Sequence, residues 1–261
     1  MPRVRATRQV LARRGELIVE RDPLRPSGRL LRQDGMDASY VDLADPIHLE
    51  FNYLRWIRIV LRIARARRVL HVGGGACALP RALAAEDPAG RQEVCEVDAD
   101  VLALAREHLG LRRMPGLRVR QAEGRAFLAM QADGSWDAVV VDAFVGALVP
   151  RELITVEAIA DLARVAPLAL VNVVDDRGAR DVRLIAAGLA TAYPRVWSLG
   201  GRAGNNVVAG SRVPPPVDLD RVAAAVAADP SPARLAGPAV TAGLLAATPA
   251  LRDAQLAARA G

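Results

Sequence analysis

Short apolar runs broken by charged and turn residues mark the beginning of the chain. Between residues 16 and 45, Leu17-Ile18-Val19 and Leu30-Leu31 are separated by Asp22-Pro23 and followed by Asp34-Gly35, the spacing of small antiparallel hairpins. A two- or three-stranded sheet of that size is marginal alone, so it must pack on the rest of the chain or on a second subunit. From Glu50 the period changes. Phe51, Leu54, Ile57, Leu61 and Ala64 share one helical face, while Arg55, Arg58, Arg62 and Arg65 share another that reads most simply as a solvated stripe.

Beyond that helix, strand and helix patterns alternate. Apolar strands are expected at 68–72, 93–97, 117–121, 138–142 and 168–174, with helices at 79–85, 99–109, 125–131, 156–165 and 181–191 between and after them. Such alternation predicts a doubly wound α/β fold, a mainly parallel sheet joined by right-handed crossovers. The runs 195–199 and 206–209, joined by Gly200-Gly201-Arg202-Ala203-Gly204, add a hairpin and bring the sheet to seven strands. Past Pro214-Pro215-Pro216 the chain is alanine-rich, the pattern of one or two helices with a poorly ordered end. The expected division is a hairpin region over 1–48, an α/β domain over 49–212 and a C-terminal tail over 213–261.

Composition narrows the class. Across 261 residues, 52% are hydrophobic and 25% charged, which suits a soluble globular protein with a substantial core. No stretch approaches the about 20 apolar residues of a membrane span, and Met1-Pro2-Arg3-Val4-Arg5 does not start a signal peptide, so a cytoplasmic location is expected. The net charge of +6 could point to an acidic partner. Yet every basic residue is arginine and aromatics make up only 3%, so GC-rich coding explains the bias better than a nucleic-acid surface that stacks bases. Cys77 and Cys95 have no metal-ligand spacing and read as buried thiols; no metal site is expected.

The residues that could carry chemistry cluster at strand ends. Gly73, Gly74 and Gly75 follow the strand at 68–72 and open a helix, where glycines let a nucleoside cofactor approach the backbone or simply allow tight packing. Glu96 follows by a little over twenty residues at the end of the second strand, where a carboxylate can accept ribose hydroxyls. Asp98 reads as the cap of the next helix. Glu123, before Gly124, could meet an adenine amino group or serve a helix start. Asp142 closes Val139-Val140-Val141 and should point into the crevice beside the cofactor. Of the histidines, His71 reads as packed, His108 as a partner of a helix end and His48 as a surface residue.

The order of these motifs resembles the spermidine synthase family of polyamine aminopropyltransferases over roughly 28–210. Carrying the resemblance are Asp34-Gly35 with Ser39-Tyr40-Val41-Asp42, Glu50-Phe51-Asn52-Tyr53, the Val69-to-Gly75 loop, Cys95-Glu96-Val97-Asp98, Ala122-Glu123-Gly124, Trp136-to-Asp142 and Gly204-Asn205-Asn206-Val207-Val208. It implies a class I methyltransferase-like fold preceded by a small β region, and a homodimer. It also implies binding of S-adenosylmethionine or its decarboxylated form, with S-adenosylhomocysteine or methylthioadenosine as product. In that scheme the glycine loop, Glu96, Glu123 and Gly124 bind the cofactor, Tyr53 lines the substrate pocket and Asp142 receives the attacking amine. Ala38, Leu54, Ala76 and Val145 stand where the family has two glutamines and two aspartates. Each change removes a partner for cationic nitrogen, which argues against spermidine itself as product. Three functions follow: a transferase to a small-molecule amine with altered acceptor or donor, a nucleoside-binding dimer without transfer activity, and a nucleic-acid methyltransferase.

Overall fold

The computed structural model describes residues 8–175, 178–201, 204–212, 217–245 and 248–260. The expectations for the first five residues, for Arg202 and Ala203, and for Pro214 to Pro216 fall outside the described residues. Four antiparallel strands come first, β1 (Gln9–Arg14), β2 (Leu17–Arg21), β3 (Gly28–Gln33) and β4 (Met36–Asp42), in that spatial order. Asp34 and Gly35 both take positive φ, 51° and 77°, and close a two-residue turn between Gln33 and Met36. β1 was not legible in the sequence because it is a half-exposed edge strand with a bulge between Val10 and Ala12. Leu17, Val19, Leu31 and Val41 join Tyr53, Trp56 and Ile57 in one core, so the small sheet packs on the main domain.

The main domain continues with α1 (Asn52–Ile63), β5 (Arg68–Val72), α2 (Ala78–Glu86), β6 (Arg91–Glu96), α3 (Ala99–His108), β7 (Leu117–Gln121), α4 (Gly124–Ala129) and β8 (Ala138–Val141). Next come a 3-10 turn (Arg151–Leu153), α5 (Val156–Val165), β9 (Leu168–Val174), α6 (Arg180–Leu189), β10 (Arg195–Gly200) and β11 (Asn205–Ser211). The alanine-rich stretch forms α7 (Leu219–Ala227), a short β12 (Arg234–Ala236), α8 (Pro238–Leu245) and α9 (Asp253–Ala260). The sheet order is β12-β10-β11-β9-β8-β5-β6-β7, so the seven expected strands are joined at one edge by β12. β5 to β9 run parallel, and β10, β11 and β12 antiparallel to their neighbours.

A parallel strand buried on both faces can be apolar throughout, which is why Ala138 to Val141 reads as one run. Val140 faces the core under α1, α2 and α3, while Val139 and Val141 face the core under α4, α5 and α6. From β5 the chain winds outward to β7 and then returns to β8 on the other side of β5. Their carboxyl ends therefore flank the point where winding reverses, the crevice that open α/β sheets offer to ligands. No helix among the described residues is long and apolar enough to cross a membrane.

One expectation about α1 is corrected in part. Arg62 and Arg65 are exposed as expected, but Arg55 and Arg58 are half-buried in ion pairs: Arg55 holds Asp229 beyond α7, and Arg58, together with Arg62, reaches Glu86 at the end of α2. Trp56 Nε1 also donates to the Ser231 carbonyl at 2.9 Å. The charges lie between helices because α2 and the segment after α7 bring carboxylates to them, something helical periodicity cannot show.

Candidate active site

The crevice begins where β5 ends. Gly73 has φ +89°, and a Cβ there would lie 2.4 Å from the backbone oxygen of Asp142, so only glycine lets the ends of β5 and β8 come this close. A Cβ on Gly74 would strike the Val94 side chain. At these two positions glycine is demanded by the chain's own packing, and the outcome is to set the loop beside Asp142. Glu96 at the end of β6 then binds the loop, its Oε2 accepting from the N–H groups of Gly74 and Gly75 at 3.0 and 2.9 Å and its Oε1 from the N–H of Asp98 at 3.0 Å. A carboxylate has about four acceptor positions, so Glu96 keeps capacity for a ligand hydroxyl.

Two further carboxylates on this side are helix caps. Asp98 accepts from the N–H groups of Asp100 and Val101 at the start of α3, and Glu123 accepts from those of Arg125 and Ala126 at the start of α4. Both also line the cavity, as does Gly124, where a Cβ would meet Val72 and Leu153. From the small sheet, Ser39 Oγ accepts from the N–H of Ala76 and closes the loop over α2.

Across the crevice stands Asp142. Tyr53 from α1 donates its hydroxyl hydrogen to Asp142 Oδ2 at 3.1 Å, and Asn172 from β9 donates through Nδ2 to Oδ1 at 2.8 Å. Burial raises the Asp142 pKa above the ordinary carboxylate range; the two hydrogen bonds oppose that, and the nearby negative Glu96 adds to it. Burial, then the charge of Asp142 and its hydrogen bond, push the Tyr53 hydroxyl well above the usual phenol range, so it stays a donor. Sequence reading missed Asn172. Its side chain is 1% exposed and its Oδ1 has no hydrogen-bond partner among the described residues, although it lines the cavity. A lone amide in the apolar run Leu168–Val174 was the available signal, because a buried polar group needs partners.

These groups share one cavity of about 650 Å³. Seven carboxylates line it, those of Asp34, Asp37, Glu96, Asp98, Glu123, Asp142 and Glu152, and among the described residues no arginine does. In a chain of net charge +6 that is an inversion of local sign. His71 lies at the edge of the cavity as a packed residue: burial lowers its pKa to about 4 and Gln92 Oε1 is 3.0 Å from its Nε2. Burial pushes the Cys77 and Cys95 thiols up to about 12, so both remain protonated. His48 is half-buried, with its ring edge-on to Tyr40 and its Nε2 3.0 Å from Glu50, and His108 lies near Glu107 at the end of α3.

No family model matches the chain, and no curated protein matches it either. Solved structures do. By structure the chain is spermidine synthase-like, with the class I methyltransferase-like sheet preceded by a small antiparallel sheet. It is similar to a probable spermidine synthase from Corynebacterium glutamicum, with a TM-score of 0.82 and 25% identity over 95% of this chain and 97% of that one. A spermidine synthase in complex with the transition-state analogue AdoDATO matches with a TM-score of 0.63 and 16% identity, over 91% of this chain and 85% of that one. Human methyltransferase-like protein 13 in complex with SAH matches at 0.53 and 17%, over 80% of this chain and 97% of that one. These last two likenesses show the fold alone.

Proposed function

We propose that the protein is a transferase that binds S-adenosylmethionine or its decarboxylated form and moves an alkyl group, methyl or aminopropyl, to an amine acceptor. The single observation that carries this reading is the cavity's charge inversion, with a hydrogen-bonded carboxylate, Asp142, beside the glycine loop. Such a lining suits a sulfonium and an amine, both cations, and disfavours phosphate or nucleic-acid backbone. Several arginines elsewhere are tied up as well: Arg14, Arg25, Arg55, Arg67, Arg68, Arg91, Arg125 and Arg164 each face a carboxylate. That weakens the case for a nucleic-acid substrate.

Glu96 is positioned to hold the ribose hydroxyls, and Glu123 with Gly124 to border the base. A sulfonium donor would supply an electrophilic carbon whose bond to sulfur breaks to give a neutral thioether, so the leaving group needs no acid. The acceptor amine must arrive uncharged and in line. Asp142, raised by burial and held by Tyr53 and Asn172, can accept a proton from the amine and keep its lone pair directed at the donor. Tyr53 and Asn172 fix the carboxylate's rotation and leave one face of it to the substrate.

Calorimetry with S-adenosylmethionine, decarboxylated S-adenosylmethionine and methylthioadenosine tests the binding half, and at least one should bind; if none does, the proposal fails. Mass spectrometry of donor and amine mixtures tests transfer. Nucleoside binding without any alkylated amine would leave a binder of this fold that has no transfer activity.

A further inference from the structure

The acceptor side of the cavity has a chemistry of its own. Next to Asp142 the wall is made by Leu54, Phe144, Val145, Ala147 and Val174, with Met36 at the mouth. Val145 is 72% exposed and Met36 42% exposed, an amount of apolar surface at a cavity rim that a partner would be expected to cover. The other six carboxylates lining the cavity are occupied by other partners or exposed. Glu96, Asp98 and Glu123 are engaged by backbone N–H groups on the glycine-loop side, and Asp37 is paired with Arg32 at 3.2 Å. Asp34 and Glu152 are exposed, where a carboxylate attracts a cation only weakly.

A single amine head, by contrast, finds two acceptors. Asp142 offers its carboxylate, and the unpartnered Asn172 Oδ1 offers a buried carbonyl that no described group satisfies. We propose that the acceptor is a primary monoamine with an apolar body, its head held by Asp142 and Asn172 and its body lying along Phe144, Val145 and Ala147, and not a diamine or polyamine. This rests on the transferase reading above. The amine nitrogen forms its bond to the donor's sulfonium-bound carbon as the carbon–sulfur bond breaks with its electron pair to sulfur, and the surplus proton on nitrogen goes to Asp142. A diamine would set its far ammonium beside a wall that supplies no ion to pair it, and would forgo the apolar contact that an alkyl end makes there.

The test uses the full chain loaded with methylthioadenosine and a calorimetric series of butylamine, pentylamine, hexylamine and phenethylamine against putrescine. Affinity should rise about two- to fourfold per added methylene, and hexylamine should bind at least tenfold more tightly than putrescine. With either sulfonium donor, alkylated product should follow the same order. Val145→Asp, an exposed position, should move the hexylamine-to-putrescine ratio about two- to fivefold toward putrescine, whereas Val145→Asn, similar in size but uncharged, should not. Methylthioadenosine affinity reports that each variant is folded. Putrescine binding as well as hexylamine, or a ratio that Val145→Asp leaves unchanged, overturns the inference while the transferase reading stands. Failure of every nucleoside to bind overturns both.

Discussion

The two sides of the cavity are built by different means. On the glycine-loop side, Glu96, Asp98 and Glu123 are each held by backbone N–H groups, and the caps are formed within three residues of the side chain. On the Asp142 side, Tyr53, Asp142 and Asn172 meet through side chains 89 and 30 residues apart, and one acceptor is left open. The first arrangement is nearly indifferent to the neighbouring side chains, because backbone donors cannot be substituted away. The second can be changed by one residue, and the wall beside it is where this chain carries Leu54 and Val145. A scaffold of this kind can keep one ligand while changing the other.

The contrast can be broken most severely at Asp142. Asp142→Asn should lower alkylated product by about 10²–10⁴-fold, the usual worth of a positioned base, while methylthioadenosine affinity stays within about threefold. Mass spectrometry and calorimetry on the same preparation check this. Product that persists unchanged would remove Asp142 from its assigned role.

Gly73→Ala attacks the junction between the two sides. A methyl group 2.4 Å from the Asp142 carbonyl, on a backbone at φ +89°, should cost about 3 kcal/mol or more, read as a lower urea midpoint. The same substitution at Gly15, whose φ is +54° but whose Cβ would meet nothing within 4 Å, should cost only about 1 kcal/mol.

Acid sharpens the comparison through His71. Its folded pKa, about 4, lies below the ordinary 6.5, so the unfolded chain binds the proton first as pH falls. Stability from this group is complete above 6.5 and is lost between 6.5 and 4, up to about 3 kcal/mol. Denaturation of His71→Leu over that interval should lack this component of the slope. Asp142 runs in the opposite sense: its raised pKa makes the folded state hold the proton longer, so its ionisation weakens the fold as pH rises through that pKa. Asp142→Asn should therefore be no less stable than the parent at neutral pH.

The smallest effect is expected at Glu96. Glu96→Gln keeps the side-chain carbonyl but loses one charge-assisted acceptor of the glycine-loop N–H groups, and should weaken methylthioadenosine binding by about tenfold. Amine affinity, measured separately, should change less.

Much of the fold was legible. Strands 117–121 and 168–174 and helix 156–165 appear with the boundaries that periodicity alone assigns, because buried parallel strands and amphipathic helices impose strong patterns. β1 and β12 were not, since short or half-exposed edge strands carry little hydrophobic signal. The capping of α3 by Asp98 was readable from one residue and its neighbours. The capping of α4 by Glu123 was one of two readings held open, and the structure shows the cap together with a place on the cavity wall.

By itself, the sequence determined the order of strands and helices, the glycine turn after β5 and the carboxylates at the strand ends, because each is written in local periodicity and in residue types with narrow conformational uses. Only the tertiary structure decided that Asn172 completes the Asp142 cluster, that Arg55 and Arg58 of α1 are held in ion pairs with distant carboxylates, and that a chain of positive net charge encloses an acid-lined cavity. Those facts depend on which side chains distant segments bring together, and pairing across tens of residues leaves no period to read.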